Sequence, residues 1–478
     1  MQKPEKFFAL IFLGFLAFTG LPQNTVAQTI ALIEIRDSPQ GEDDFLCWSP
    51  VAARVKLAQP GPMDVPVTLR SGAIGPSAGV VGFMESDVAV TPSTFAPKKE
   101  LPIVLKGDGS WVEFNLFGLK ASDGEKDIAV RAELGDGSAI GQTMTMVRVR
   151  KDAEQLSPKE RNNFLSVLAQ WKKVPGLARP TRFEDFYTTH EDAFSKGIHS
   201  GFGANPSNFL PWHRAFLLNF ERELQAIDQT VALPYWKFDA PAPQLFSAEF
   251  LGAKVPGTNE VELASTNPIR GWSAPPGQLL TRAKSASVQA PMNPGVLGAL
   301  ACTSANCPNI FRETTDTFEM NYHNSAHGFI LGWLGGGASP KDPLFFLLHA
   351  NVDRGWAHWQ QARDRFDSAS EKSYTPEGRY PGSVQNKMKE GLFAEDEMWP
   401  WGHKQGDWGT PGVPDDDWLP YRFSFPAAPG LPLSGIDFPT PAKMIDYMGV
   451  RGGPELGFCY DDMAYQGGKP SEVLEQVQ

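Results

Sequence analysis

EMNYHNSAHGFILGWLGGGASPKDPLFFLLHANVDRGWAHW, residues 319–359, decides the reading of the whole chain. His323 and His327 stand four positions apart, so on a helix their side chains leave one face about 5–6 Å apart and can share a metal ion. His349 follows after 21 intervening residues, on an apolar segment that opens with Asp342-Pro343. The carboxylate can cap a helix there, and proline suits its first turn. The expected result is a third imidazole facing the pair, which makes half of a dinuclear metal centre.

Working outward, NFLPWHRAFLLNFEREL at 208–224 supplies a counterpart. Pro211 opens an amphipathic helix in which Phe216, Leu217, Phe220 and Leu224 follow His213 at core-facing spacing. His190 and His199 precede it, so six of the eight histidines fall into two groups of three. No glutamate occupies the Glu-x-x-His positions that a di-iron carboxylate bundle requires. Imidazoles without thiolate or bridging carboxylate suit copper, with zinc second.

FYTTHEDAF, NFLPWHRAFLLNFEREL, FEMNYHNSAH and DPLFFLLHANVDRGWAHWQ resemble the copper motifs of tyrosinases, catechol oxidases and, more distantly, molluscan haemocyanins. The resemblance runs from about Val147 to Tyr465. It implies a mainly helical domain whose four-helix bundle holds two copper ions with O2 bound between them. His190, His199 and His213 would hold one copper; His323, His327 and His349 would hold the other. Relatives carry their second histidine closer to FLPWHR, so His199 fits only if GFGANPSN lengthens the loop that bears it.

The same resemblance implies a phenolic substrate and O2, oxidation of o-diphenols to o-quinones, and hydroxylation of monophenols. Residues matching Glu319 and Asn324 hold, in relatives, the water thought to take the phenol proton. No nucleotide or flavin signature occurs, so the electrons come from the substrate. One alternative is a catechol oxidase or o-aminophenol oxidase without monophenolase activity; another, of a different class, is a haemocyanin-like oxygen carrier. Gly335-Gly336-Gly337-Ala338 stands where some relatives place a bulky residue over copper, and an open mouth favours the enzyme.

At the start of the chain, Lys3 and Lys6 precede an apolar run from Phe7 to Leu21, and Thr25-Val26-Ala27 offers a cleavage site. Residues 1–27 therefore read as a signal peptide for export, the run being shorter than the roughly 20 residues that span a bilayer. No later stretch qualifies as a transmembrane anchor. Residues 28–147 alternate apolar and polar side chains at Ile30 to Arg36, Val51 to Leu57, Trp111 to Phe117, Ile128 to Leu134 and Met144 to Val149. About seven strands are expected there, in an antiparallel β-sandwich of immunoglobulin type with no histidine.

The copper domain spans 148–465 and a short tail 466–478. Ser157-Pro158-Lys159-Glu160 is a capping box opening a helix with Phe164, Val167, Leu168 and Trp171 on one face, and Arg182 to Phe194 forms the helix of His190. The formal net charge of −12 argues against nucleic acid as partner and favours a small-molecule substrate. Nothing in the sequence speaks to oligomeric state.

Cys302 and Cys307 suit a local bridge, while pairing of Cys47 with Cys459 is left open. His358, nine residues after His349, falls on the opposite side of its helix and is expected in solvent; His403 belongs to a surface loop. Asp353 shares the face of His349 and either accepts a ring N–H or pairs with Arg214 or Arg354. Phe345 and Phe346 are expected to shield the coppers, and Phe458-Cys459-Tyr460 to close the core.

Overall fold

The computed structural model describes residues 30–36, 45–86, 95–195, 199, 208–293, 311–374, 394–395, 397–401, 438–452 and 455–465. The expected signal peptide, the Cys302 and Cys307 pair and His403 lie outside the described residues.

The first part of the chain is β-rich, with nine strands in two sheets. One sheet runs β1 (Ala31–Ile35), β3 (Val51–Leu57), β7 (Val112–Lys120), β5 (Val80–Glu85), each pair antiparallel. The other runs β2 (Phe45–Leu46), β9 (Ala139–Val147), β8 (Ile128–Glu133), β4 (Val65–Ala73), β6 (Glu100–Leu105), antiparallel except for the short parallel β2–β9 pair. Period-two alternation decides which side chains turn inward: Ile33 faces Val55 across β1–β3, and both are fully buried. Inward residues of both sheets, among them Leu69, Phe83, Leu116 and Val130, join the same core.

Nine strands exceed the seven expected, for two physical reasons. Pro66 in β4 and Pro102 in β6 disguise two strands, since proline cannot donate to a ladder. Pro66 lies beyond the stretch that pairs with β8, so no central hydrogen bond is lost there. β5 is buried at four consecutive positions and shows no alternation to read.

Helices follow. Ser157 Oγ accepts from the Glu160 amide and Glu160 returns a bond to the Ser157 amide, so the capping box opens α1 (Pro158–Trp171) as expected. α2 (Arg182–Ser195), α3 (Phe209–Gln225), α4 (Phe311–Thr317), a π-helical turn (Phe318–His323), α5 (Asn324–Ile330) and α6 (Leu344–Arg363) complete the set that matters here. α6 starts as read: Asp342 Oδ1 accepts from the Leu344 amide at 2.9 Å, while its carboxylate grips Arg282 with two bonds of 2.7 Å. α3 departs from its amphipathic expectation, because every residue except Glu223 is buried, including Arg214, Glu221 and Arg222.

Those buried charges have partners. Arg150, just past β9, donates to Glu221 at 2.6 Å and to Asp353 at 3.1 Å; Arg214 donates to Asp353 at 2.6 Å. Tyr460 donates its hydroxyl to Asp353 at 2.6 Å. Two cations balance two anions, the condition under which buried ions persist without a large penalty. The network ties the end of the β-rich part, α3, α6 and the closing segment together at one point.

A disulfide between Cys47 and Cys459, with Cα atoms 6.1 Å apart, answers the pairing left open by the sequence. Beside it the Trp48 indole donates to the Tyr460 carbonyl at 2.7 Å, so Phe458-Cys459-Tyr460 does close the core. Among the described residues, no helix is long and apolar enough to cross a membrane.

Candidate dinuclear metal centre

α2 delivers His190, the segment after it delivers His199, and α3 delivers His213. The His199 ring lies 4.4 Å from that of His190 and 4.9 Å from that of His213, and all three residues are buried. His323 ends the π turn, His327 stands on α5 and His349 on α6. Their Nε2 atoms converge, His349 to His323 at 3.2 Å and to His327 at 3.4 Å. In each triad the candidate ligand atoms lie within 4.8 Å of one another, close enough for the triad to hold a metal ion. The triads meet where His213 stacks on His349, ring centres 4.1 Å apart.

Hydrogen bonds orient these rings. Nδ1–H of His190 donates to the Gly337 carbonyl at 2.5 Å, that of His213 to Phe209 at 2.8 Å, and that of His327 to Leu334 at 2.6 Å. His323 Nδ1–H donates to Asn324 Oδ1 at 2.9 Å. A proton fixed on Nδ1 leaves the Nε2 lone pair pointing inward, the arrangement metal-binding histidines adopt. The segment from Leu334 to Gly337 thus serves one histidine of each triad. At Gly337 a Cβ would stand 2.9 Å from the Phe194 ring, so glycine lets this carbonyl approach His190.

Burial, reinforced by neighbouring imidazoles, holds His190, His213, His323 and His349 well below the ordinary imidazole range. His199 and His327 are brought down by burial to about 4. All six rings are therefore neutral at pH 7, as ligation requires. Nε2 of His213 and one ring nitrogen of His199 would be orphaned without a cation, being buried with no hydrogen-bond partner. Converging lone pairs and orphaned nitrogens in an all-imidazole pocket fit copper first and zinc second.

The common central domain of tyrosinase matches residues 180–362, the span that carries all six histidines. A tyrosinase of Streptomyces antibioticus is 33% identical over 267 residues, covering 49% of this chain and 89% of that protein. The chain belongs to the tyrosinase family. A tyrosinase of Streptomyces glaucescens is 32% identical over 240 residues, covering 45% of this chain and 82% of its own length. The grixazone synthase of Streptomyces griseus is 27% identical over 261 residues, covering 45% and 85%.

Within this tyrosinase-family site, Phe345 packs as expected: its ring is 4.2 Å from His349 and 4.7 Å from His190. Phe346 instead stacks on Phe220 at 3.6 Å, as ordinary core. Glu319 is buried in the π turn, one turn before His323, and Asn324 is half-buried beside it. The π turn itself was not foreseen; it closes with the Asn324 amide donating to the Glu319 carbonyl.

Of the alternatives for Asp353, the ion pair with Arg214 is the one formed, and Arg354 pairs with Asp462 instead. His358 is corrected. It is half-buried, with Nε2 3.0 Å from Asp462, because the closing segment folds back over α6. The carbonyls of Leu334 and Gly337 were missed as partners of the site. Their signal was the run of glycines, read only as an open mouth.

Proposed function

We propose that this chain is a copper-dependent phenol oxidase that uses O2 to convert o-diphenols to o-quinones and to hydroxylate monophenols. His190, His199 and His213 hold one copper; His323, His327 and His349 hold the other. The observation that carries the reading is the contact of His213 with His349, which joins two all-imidazole triads into one pocket. When bound, the copper pair supplies the chemistry that reduces O2 with electrons from the phenol.

The chain's own residues bind, orient and handle protons. Free phenol titrates near 10, so about one molecule in a thousand is ionised at neutral pH. The Glu319 carboxylate, acting through a water held with Asn324, takes the phenol proton before the substrate reaches the metals. Asn324 also fixes the tautomer of His323 through the 2.9 Å bond to its Nδ1. Phe345, fully buried against His349 and His190, excludes water from beneath the centre.

In the same reading, residues 1–27 are an export signal, 28–147 an immunoglobulin-like sandwich with a structural role, and 148–465 the copper domain. The helices bearing the histidines form its four-helix bundle. The Cys47–Cys459 disulfide supports export, since such bonds persist in oxidising compartments.

Metal analysis combined with an oxygen-consumption assay on tyrosol, tyrosine, catechol and o-aminophenol tests the function. Two coppers per chain and consumption with both phenols and catechols are expected. Catechol turnover without hydroxylation of any monophenol would make it a catechol oxidase, turnover of o-aminophenol alone an aminophenol oxidase, and reversible O2 binding without turnover a carrier.

A further inference from the structure

Among the described residues two methionines are well exposed, Met63 at 74% and Met320 at 48%. Their surroundings differ. Met63 lies in the turn between β3 and β4, in the β-rich part that bears no histidine. Met320 lies in the π turn, three residues before His323 and four before Asn324, so its side chain and that of Asn324 share a helical face. Nδ2 of Asn324 donates to the Met320 sulfur at 3.8 Å, while Oδ1 of the same amide accepts from His323 Nδ1 at 2.9 Å. A thioether in solvent is thus one side chain removed from a candidate metal ligand.

Sulfur is a weak acceptor, so the amide is set by its bond to His323 and only rests against Met320. Oxidation reverses that order. Hydrogen peroxide transfers one oxygen atom to the thioether: sulfur gives up two electrons, the O–O bond breaks and water leaves. The product sulfoxide is polar, and its oxygen competes for the Asn324 N–H as sulfur does not. An amide turned toward that oxygen weakens its bond to His323. Asp316, exposed one turn before Met320, does not repel an uncharged oxidant.

We propose that Met320 is a modification site whose oxidation to the sulfoxide draws Asn324 away and suppresses monophenol hydroxylation more than catechol oxidation. This deepens the phenol-oxidase reading and rests on it, Asn324 being there the residue that holds the water with Glu319. Methionine sulfoxide reductases restore the thioether, so the change is reversible.

The test treats the copper-loaded chain with limiting hydrogen peroxide, maps sulfoxide by peptide mass spectrometry and follows turnover of tyrosol and catechol in the same samples. The ratio of hydroxylation to catechol oxidation is expected to fall about fivefold, the worth of one ordinary hydrogen bond, in step with Met320 sulfoxide and not with Met63 sulfoxide. Methionine sulfoxide reductases A and B should restore it, which damage at the metal ligands would not permit. Met320→Leu has no sulfur there to oxidise, so treatment should leave that variant's own ratio where it stood, whereas Met63→Leu should respond as the wild type does. Met320→Gln, which places an amide oxygen beside Asn324, should lower the ratio without any oxidant. An unmoved ratio with Met320 oxidised, a fall that Met320→Leu shares, or no Met320 sulfoxide when Met63 is oxidised would overturn the proposal with the phenol oxidase intact. Hydroxylation of no monophenol by the untreated chain would overturn the hydroxylase reading, and this proposal with it.

Discussion

The first triad is gathered from three places and sealed; the second comes largely from one short stretch and stays open. His190, His199 and His213 are all buried, whereas His323 and His327 are only partly so. In the second triad the two histidines of the π turn and α5 each have a hydrogen-bond acceptor within a few residues, Asn324 and Leu334. In the first, His199 has no acceptor for either ring nitrogen and is held by packing against Trp212, 4.7 Å away, and His190. Two rings of each triad, His190 and His213 in the first and His323 and His327 in the second, are thus oriented by hydrogen bonds, and the third, His199 or His349, by enclosure.

Deleting a ligand should give the largest effect. His199→Ala and His349→Ala are each expected to bind no more than one copper by metal analysis, and to bring oxygen consumption on catechol below detection. If His199→Ala kept two coppers and normal turnover, the first triad would be a pair completed by some other group.

Asp353 lies one turn beyond His349 and binds Arg214, the neighbour of His213, so it supports both triads at once. Asp353→Ala leaves Arg150 and Arg214 undercompensated in the core, and should cost about 3–5 kcal/mol in urea unfolding. Loss of metal from one triad only would show that the two are supported separately.

Glu319→Gln should lower monophenol hydroxylation about 10²-fold while leaving catechol oxidation little changed, as for loss of a proton acceptor. Asn324→Ala should act in the same direction and more weakly. Parallel loss of both activities would instead mark Glu319 as a support of the second triad.

Acid sharpens the comparison further. An unfolded imidazole titrates near 6.5, but in the folded chain His199 and His327 stay neutral down to about 4. Between those values the unfolded state binds more protons, so stability is full above about 6.5 and falls as pH drops toward about 4. One such histidine stands in each triad, so both should lose metal together in a pH series of urea midpoints and copper content. The smallest effect is expected for His358→Ala, a half-buried pair with Asp462, at about 1 kcal/mol or less with copper content unchanged.

The sequence made the second triad legible because its ligands sit at short fixed spacings on one helical face and beside an Asp-Pro start. His199 was harder to read because its place depends on the length of a loop, and only the folded chain brings its ring beside His190 and His213. Strands β1, β3 and β8 could be read from alternation, while β5 could not, being buried at four consecutive positions. Contacts made between residues more than a hundred positions apart left no local mark: Asp462 on His358, Arg150 on Asp353, and the carbonyl of Gly337 on His190. Such pairings follow from topology, which no single window of residues contains.

The bond between Cys47 and Cys459 turns the protein into a covalent ring of almost its whole length. A single backbone cut anywhere between those cysteines leaves one molecule, and its two pieces part only on reduction. The same ring denies the denatured chain many of its extended shapes, which favours the native state by on the order of 5 kcal/mol in the chain-entropy picture. A nicked molecule would keep both histidine triads in one particle until a reductant opened that bond.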